Sequence, residues 1–198
     1  MNSKSGIALL AGLLLALWGY TQPEVNYQNK TLVKELQKSG ITNMDRLEEL
    51  KPADSVASPD ALQGKYFLIN EANANDFKYI YIGRVNSCRA GGCSLSGNDP
   101  VAGNSEYFDY FILFDTRKTV QFVKVFNYQA THGHEITAKG WLKQFVGHDS
   151  SKALQVDKNI DAISGATISV HAITHDIEAK TSLLKRLLKQ EGLSASTK

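Results

Sequence analysis

Cysteine is scarce in this sequence, and neither sign of charge predominates. Cys88 and Cys93 are the only cysteines in 198 residues, too few for a disulfide scaffold. The formal net charge is +2, so the composition implies no charge-driven nucleic-acid partner. There is also no cysteine-rich cluster motif and no Gly-x-Gly-x-x-Gly turn, which are the usual signatures of iron–sulfur and dinucleotide sites.

The sequence does contain the apolar residues that a core requires. Apolar residues make up 42% of the chain and charged residues 21%, a balance that excludes wholesale disorder. A length of 198 residues fits one compact domain with an N-terminal appendage. We therefore expect a single core.

An uncharged apolar run of fifteen residues, 6–20, follows Lys4. This order is typical of a secretory signal peptide. The run is shorter than the roughly 20 residues that span a membrane comfortably, but Trp18 and Tyr20 suit an anchor at the membrane interface. We predict that residues 1–20 are a signal peptide or a membrane-anchor helix. Either alternative places the rest of the chain in the cell envelope, on the exported side of the cytoplasmic membrane.

Composition divides the rest of the chain into three parts. Residues 21–61 are polar, with apolar positions spaced for two short helices on either side of Ser39 and Gly40. We predict a short helical segment that packs on the domain or serves as a spacer. The domain itself is predicted over residues 62–190, and a flexible tail over residues 191–198.

The domain combines strand patterns with a long final helix. Four segments rich in aromatic and β-branched residues predict strands, and the last two of them a hairpin. These segments are 65–69, 77–85, 107–114 and 119–126. Helical spacing predicts a short helix near Trp141 that stops before Gly147, and an amphipathic helix from Ile168 onward. The predicted fold class is α+β, a mostly antiparallel sheet covered on one side by helices.

A segment of small and hydroxyl residues, 161–169, directly precedes the final helix. Free N–H groups at a helix N-terminus, together with the helix dipole, favour binding of a phosphate. The alternative is that Ser164 or Thr167 merely caps the helix. The spacing of these residues alone leaves both interpretations open.

The same segment resembles the flavinylation motif of the FMN-binding domain family. That motif is Asp, two variable residues, Ser or Thr, Gly, Ala, Thr, one variable residue, and Ser or Thr. Each fixed position is matched, and the matching residues are Asp161, Ser164, Gly165, Ala166, Thr167 and Ser169. The resemblance in element order extends over about residues 62–190.

The resemblance implies both a cofactor and partners. Thr167 would carry FMN through a phosphoester, installed by a separate flavin transferase that uses FAD. The chain would then be an electron carrier rather than a complete enzyme, with no catalytic residue of its own. It would exchange electrons with an unidentified donor and acceptor, for which membrane proteins are candidates. A regulatory or partner-binding module, in which flavin is non-catalytic or absent, is the alternative.

A loop with two histidines follows the predicted hairpin. In the family, a loop at this place lies near the flavin, so the resemblance makes His132, Gly133 and His134 candidates for contact with the cofactor. A histidine there would donate a hydrogen bond to the ring or support proton movement. The alternative is an exposed polar loop without flavin contact. No metal site is predicted, because thiolates and a spaced carboxylate set do not accompany these histidines.

The two cysteines lie five positions apart around Gly91 and Gly92. In an oxidising compartment this spacing favours a disulfide between Cys88 and Cys93 that closes a short loop. The alternative is a redox-active pair that exchanges electrons with the flavin, in which Arg89 lowers a thiol pKa. A thiol–disulfide protein built on this pair is a third candidate function.

Overall fold

A computed structural model of the chain describes residues 23–51, 63–71, 76–89 and 105–195. Within these ranges, five antiparallel strands form one sheet in the order β1-β2-β3-β4-β5. The strands are β1 (Leu47–Leu50), β2 (Gly64–Ile69), β3 (Phe77–Arg89), β4 (Ser105–Asp115) and β5 (Val120–Tyr128). The helices are α1 (Lys30–Lys38), α2 (Lys139–Leu142) and α3 (Thr167–Ala195). The predicted α+β class is confirmed.

Strand alternation gives the sheet two apolar faces. In β4, Tyr110, Ile112 and Phe114 belong to one buried cluster, whereas Phe111 and Leu113 belong to a second cluster on the opposite face. Successive side chains of a strand point to opposite faces, so an uninterrupted apolar strand must be covered on both. The predicted hairpin is confirmed, since β4 and β5 pair directly.

Helix α3 covers the first face of the sheet. Its apolar stripe packs into the first cluster, and fully buried members include Val170, Ile173, Ile177 and Leu184. Burying each of these side chains is worth roughly 1.5–3 kcal/mol. The predicted amphipathic helix is therefore present. It continues to Ala195 and so enters the segment 191–198 that was predicted as a tail.

Helix α1 is the first of the two helices predicted for residues 21–61. It covers the second face of the sheet, although helices were predicted on one side only. Leu32 and Leu36 are fully buried there, and Ile41 follows directly after the helix. The Asn29 side chain caps the helix by accepting a hydrogen bond from the N–H of Thr31 at 2.8 Å. Coverage of one side only was a wrong expectation, and residues 23–51 pack on the domain.

The second helix predicted in the segment 21–61 is wrong. A single 3₁₀ turn (Met44–Arg46) leads into β1, which pairs with β2 through registers such as Leu47 with Ile69. The apolar residues Leu47 and Leu50 lie three positions apart, a spacing that also occurs in helices. Pairing along the open edge of β2 outweighs that local pattern.

The helix predicted before Gly147 is confirmed. Helix α2 continues as a 3₁₀ turn (Lys143–Phe145), with Leu142 and Phe145 buried. Gly147 then adopts a left-handed conformation with φ of +91°, which glycine tolerates without steric cost.

Two predictions lie outside the described residues. Residues 1–20, expected to be a signal peptide or anchor, are not among them, and neither is Cys93. Within the part of the chain that the structure covers, no helix combines the length and apolarity needed to cross a bilayer. The signal or anchor and the disulfide therefore stay predictions.

His148 is a buried histidine that follows the α2 segment. Its backbone carbonyl accepts a hydrogen bond from the N–H of Val120 at 2.9 Å, while its Nε2 makes no hydrogen bond with the described residues. Burial lowers the pKa of His148 below its ordinary value of 6.5, although Glu178 and Asp149 oppose the shift. The neutral imidazole is therefore the form that the fold favours.

We expect the free energy of unfolding to fall as the pH is lowered through 6.5 toward the depressed folded-state pKa of His148. Above 6.5 the imidazole is neutral in both states and the contribution of this group is complete; below it the unfolded chain takes up the proton first. Urea denaturation of the wild type and of His148→Gln at pH 7.5 and pH 5 measures the effect. The variant should lose this part of the pH dependence, and exposed His134→Gln should keep it. Equal pH dependence in all three proteins would contradict the expectation.

Candidate functional site

The segment before α3 alternates anchored and exposed residues. Ile160 and Ala166 are buried, and Ile163 packs partly buried against the first cluster. The side chains of Asp161 and Ser164, which lie between these residues, and of Thr167, which follows Ala166, are exposed. The three predicted polar residues are thus presented at the surface by apolar neighbours that hold the backbone.

A tight turn brings the chain into the helix. The N–H of Ala166 donates to the carbonyl of Ile163 at 3.0 Å, and Gly165 has a φ of +80°. A Cβ built on Gly165 would meet no atom within 4 Å, so the turn needs glycine for its backbone conformation and leaves open space beside it. Helix α3 begins at Thr167, and the N–H groups of its first turn have no carbonyl partners inside the helix.

A cavity of about 190 Å³ lies at this helix start. Its walls come from β3, β4, the loop after β5 and the first turn of α3. The lining residues are Ser87, Glu106, His132, Gly165, Ala166, Thr167, Ile168 and Ser169. The cavity therefore combines hydroxyl groups, one carboxylate and one imidazole beside the positive end of the helix dipole.

The buried hydroxyl of Ser169 connects three elements. Its Oγ lies 2.7 Å from Ser87 Oγ on β3 and 3.4 Å from the Tyr128 hydroxyl at the end of β5. The Tyr128 hydroxyl also donates to the backbone carbonyl of His132. Burial raises the pKa of Tyr128 above its ordinary value of 10, so this group stays a protonated donor. The network fixes the helix start against the sheet.

Gly133 lets the histidine loop approach α3. Its φ is +84°, and a Cβ at this position would lie 2.7 Å from Ser169 Oγ and 3.1 Å from the Tyr128 hydroxyl. Any side chain there would displace the loop or the helix start. The predicted loop is therefore in direct contact with the predicted motif.

The structure brings together most of the predicted site residues. Those that line the cavity are Gly165, Ala166, Thr167, Ser169 and His132, with Gly133 directly behind them. Asp161 and Ser164 are exposed beside the cavity and do not line it. His134 is not part of the lining; its ring packs edge-on against Tyr128 at 5.2 Å.

Sequence reasoning missed three residues of this site. Ser87 and Glu106 line the cavity, and Tyr128 connects the loop to the helix. Ser87 lies 82 positions before Ser169, and no local pattern relates two residues so far apart. The position of Tyr128 at the end of a predicted strand, next to the histidine loop, was the one usable signal.

No metal cluster was found in this part of the chain. Among the described residues, no group of three or more His, Cys, Asp or Glu side chains is arranged to hold a metal ion. The Glu106 carboxylate accepts instead a hydrogen bond from the Thr131 hydroxyl.

Comparison with known families identifies the domain. Residues 103–179 match the family model of the FMN-binding domain, a segment that runs from β4 into α3 and contains the motif and the histidine loop. The match assigns residues 103–179 to the FMN-binding domain family and supports FMN as the flavin that this domain binds. Neither the search of curated proteins nor that of solved structures gave a match.

Proposed function

We propose that this chain is an exported, membrane-tethered flavoprotein that relays electrons through FMN attached to Thr167 by a phosphoester. The observation that carries the proposal is the placement of Thr167. Its side chain is exposed at the first position of α3, on the rim of a cavity, within a segment that matches every fixed position of the flavinylation motif.

The residues around Thr167 fit a phosphate diester. The first-turn N–H groups of α3 offer hydrogen-bond donors, and the helix dipole favours negative charge at this end. Gly165 has open space where other residues would carry a Cβ, so an incoming group meets no side chain there. Glu106 is the one negative group in the lining, and the Thr131 hydroxyl partly satisfies its carboxylate.

The size of the cavity indicates how much of FMN it would receive. At about 190 Å³ it is smaller than the roughly 300 Å³ at which pockets begin to enclose a drug-sized ligand. We therefore expect it to hold the phosphate end, while the flavin ring rests on the adjacent surface. The imidazole of His132 lines the cavity and would then be a candidate hydrogen-bond donor to the ring.

Attachment would require a second protein. Thr167 Oγ1 would form a bond to the FMN phosphorus of FAD, the pyrophosphate bond would break, and AMP would leave. The hydroxyl proton would pass to a base of the flavin transferase, because an unaided hydroxyl is a weak nucleophile at neutral pH. The contribution of this chain is to present the hydroxyl on an open turn.

Bound FMN supplies one-electron and hydride chemistry, and the chain holds and orients it. The proposal places the protein on the exported side of the cytoplasmic membrane, because an apolar run follows Lys4. A covalent link suits that compartment, where a lost cofactor is not readily replaced. The redox donor and acceptor are proposed to be other proteins, including membrane proteins.

The test is the mass of the denatured protein. We expect chain purified from the envelope of its own cells to keep a yellow colour after denaturation and to carry the added mass of one FMN moiety. Peptide mapping should place that mass on the peptide containing Thr167. Colour that is lost entirely on denaturation, with an unmodified peptide mass, would show that FMN is bound without a covalent link.

A further inference from the structure

Both backbone groups of Asp161 are bound by side chains of the helical segment 139–145. Trp141 Nε1 donates to the carbonyl of Asp161 at 2.8 Å, and the N–H of Asp161 donates to Gln144 Oε1 at 2.8 Å. The amide of Gln144 in turn donates from Nε2 to the carbonyl of Trp141 at 3.1 Å. These three bonds form a closed ring, which we call the Asp161 clamp.

The clamp is built on a rigid base. The ring of Trp141 packs edge-on against Phe145 at 5.3 Å, and both Phe145 and Leu142 are buried in the first cluster. Such packing holds the ring of Trp141 and the backbone of the helical segment that carries Gln144. The clamp therefore transfers the rigidity of the core to a surface segment.

The clamp acts on the first residue of the motif. Asp161 lies between buried Ile160 and the turn that leads to Thr167, and its side chain is exposed. Because both of its backbone groups are bonded within the protein, its carboxylate is the polar group left for a partner. The clamp thus fixes the backbone of the motif six residues before the proposed acceptor.

We propose that Trp141 and Gln144 are positioning residues that hold the motif in the conformation that the flavin transferase binds. This inference rests on the proposed function. Without the clamp, the backbone around Asp161 must be ordered at each encounter, and this ordering costs conformational entropy. We expect that cost to appear as roughly a tenfold rise in the KM for the protein as a substrate, with kcat retained.

Three variants separate the contacts. Gln144→Leu removes the acceptor for the Asp161 N–H, Gln144→Glu keeps an acceptor, and Trp141→Phe removes the indole donor while keeping a smaller aromatic ring. Gln121→Leu is the matched control, since Gln121 lies beside the same helical segment but its amide bonds to Asp115 and is not part of the clamp. Each flavin-free full-length protein is incubated with FAD and purified flavin transferase, and initial rates are followed by intact mass. Hydrogen exchange of the Asp161 amide is measured on the same samples.

The expected result is faster exchange of the Asp161 amide and about a tenfold higher KM in Gln144→Leu, with kcat and melting temperature near those of the wild type. Trp141→Phe should also raise KM, whereas Gln144→Glu should restore most of the loss and Gln121→Leu should change neither readout. If Gln144→Leu does not fold, Trp141→Phe decides. A wild-type KM in both variants would overturn the positioning role and leave the proposed function intact. A wild type that accepts no FMN would overturn the proposed function, and the positioning role with it.

Discussion

Thr167→Ala should yield a folded protein that carries no covalent FMN. The substitution removes the only oxygen proposed to bear the phosphoester, while alanine has the highest helix propensity and suits the first turn of α3. Because the Thr167 side chain is exposed, no core contact is lost and the melting temperature should stay near that of the wild type. Intact mass of the denatured protein measures attachment, and circular dichroism measures the fold.

Two further variants set the order of attachment. Thr167→Ser keeps a hydroxyl and should retain part of the modification. Gly165→Val places a branched side chain in the open space beside the acceptor, at a residue with φ of +80°, so modification should fall close to that of Thr167→Ala. Folded Thr167→Ala that still carries FMN after denaturation would make the acceptor assignment wrong, and Ser164 and Ser169 would be tested next.

Arg84→Met should lower the free energy of unfolding by about 3–5 kcal/mol, the cost of leaving a buried charge without its partner. Arg84 and Asp109 face each other across β3 and β4, and both side chains are buried. Nε of Arg84 lies 2.7 Å from one Asp109 oxygen, and Nη2 lies 3.1 Å from the other. Asn127 donates to the second oxygen at 2.7 Å, but without Arg84 that single bond would remain for a buried carboxylate.

Urea denaturation of the flavin-free protein measures this loss, and the chain offers a matched control. Arg117 pairs with Asp115 at 3.4 Å, but the Arg117 side chain is 81% exposed, so Arg117→Met should cost no more than about 1 kcal/mol. The double variant Arg84→Met with Asp109→Leu removes both charges and should recover much of the stability. A loss for Arg84→Met no larger than that for Arg117→Met would contradict the assignment of a buried pair.

Long elements with regularly spaced apolar residues could be predicted from the sequence, and short elements could not. The hairpin of β4 and β5 and the stripe of α3 are long enough for apolar spacing to define them. In β1, four residues with leucine at both ends fit a turn of helix as well as an edge strand, and only pairing with β2 decides between them. Helix α1 was predicted, but its position on the second face depends on contacts that local spacing does not contain.

In the candidate site, too, the contiguous residues could be predicted from the sequence and the distant ones could not. The segment around Thr167 is contiguous, so its motif is visible in the sequence together with its place before a helix. The walls of the cavity come from distant parts of the chain, such as Ser87 on β3 and Glu106 on β4. Tertiary structure alone brings these two residues to Thr167, so the sequence predicted the residues at the start of α3 and His132 but not Ser87 and Glu106.

The hydrogen bond between Arg84 and the start of the described chain bears on the distance between the proposed membrane anchor and the candidate site. The Arg84 guanidinium donates from Nη1 to the carbonyl of Pro23, and three residues further along β3, Ser87 contacts the site through Ser169. Three strand residues span about 10 Å along β3, and Arg84 and Ser87 project from opposite faces of the sheet, so Pro23 and the site lie on opposite sides of the same short stretch of strand. If residues 1–20 are the proposed anchor, the chain between the membrane and the domain is short, and the proposed redox site lies close to the membrane. Electron exchange would then be confined to partners within, or lying against, the same membrane.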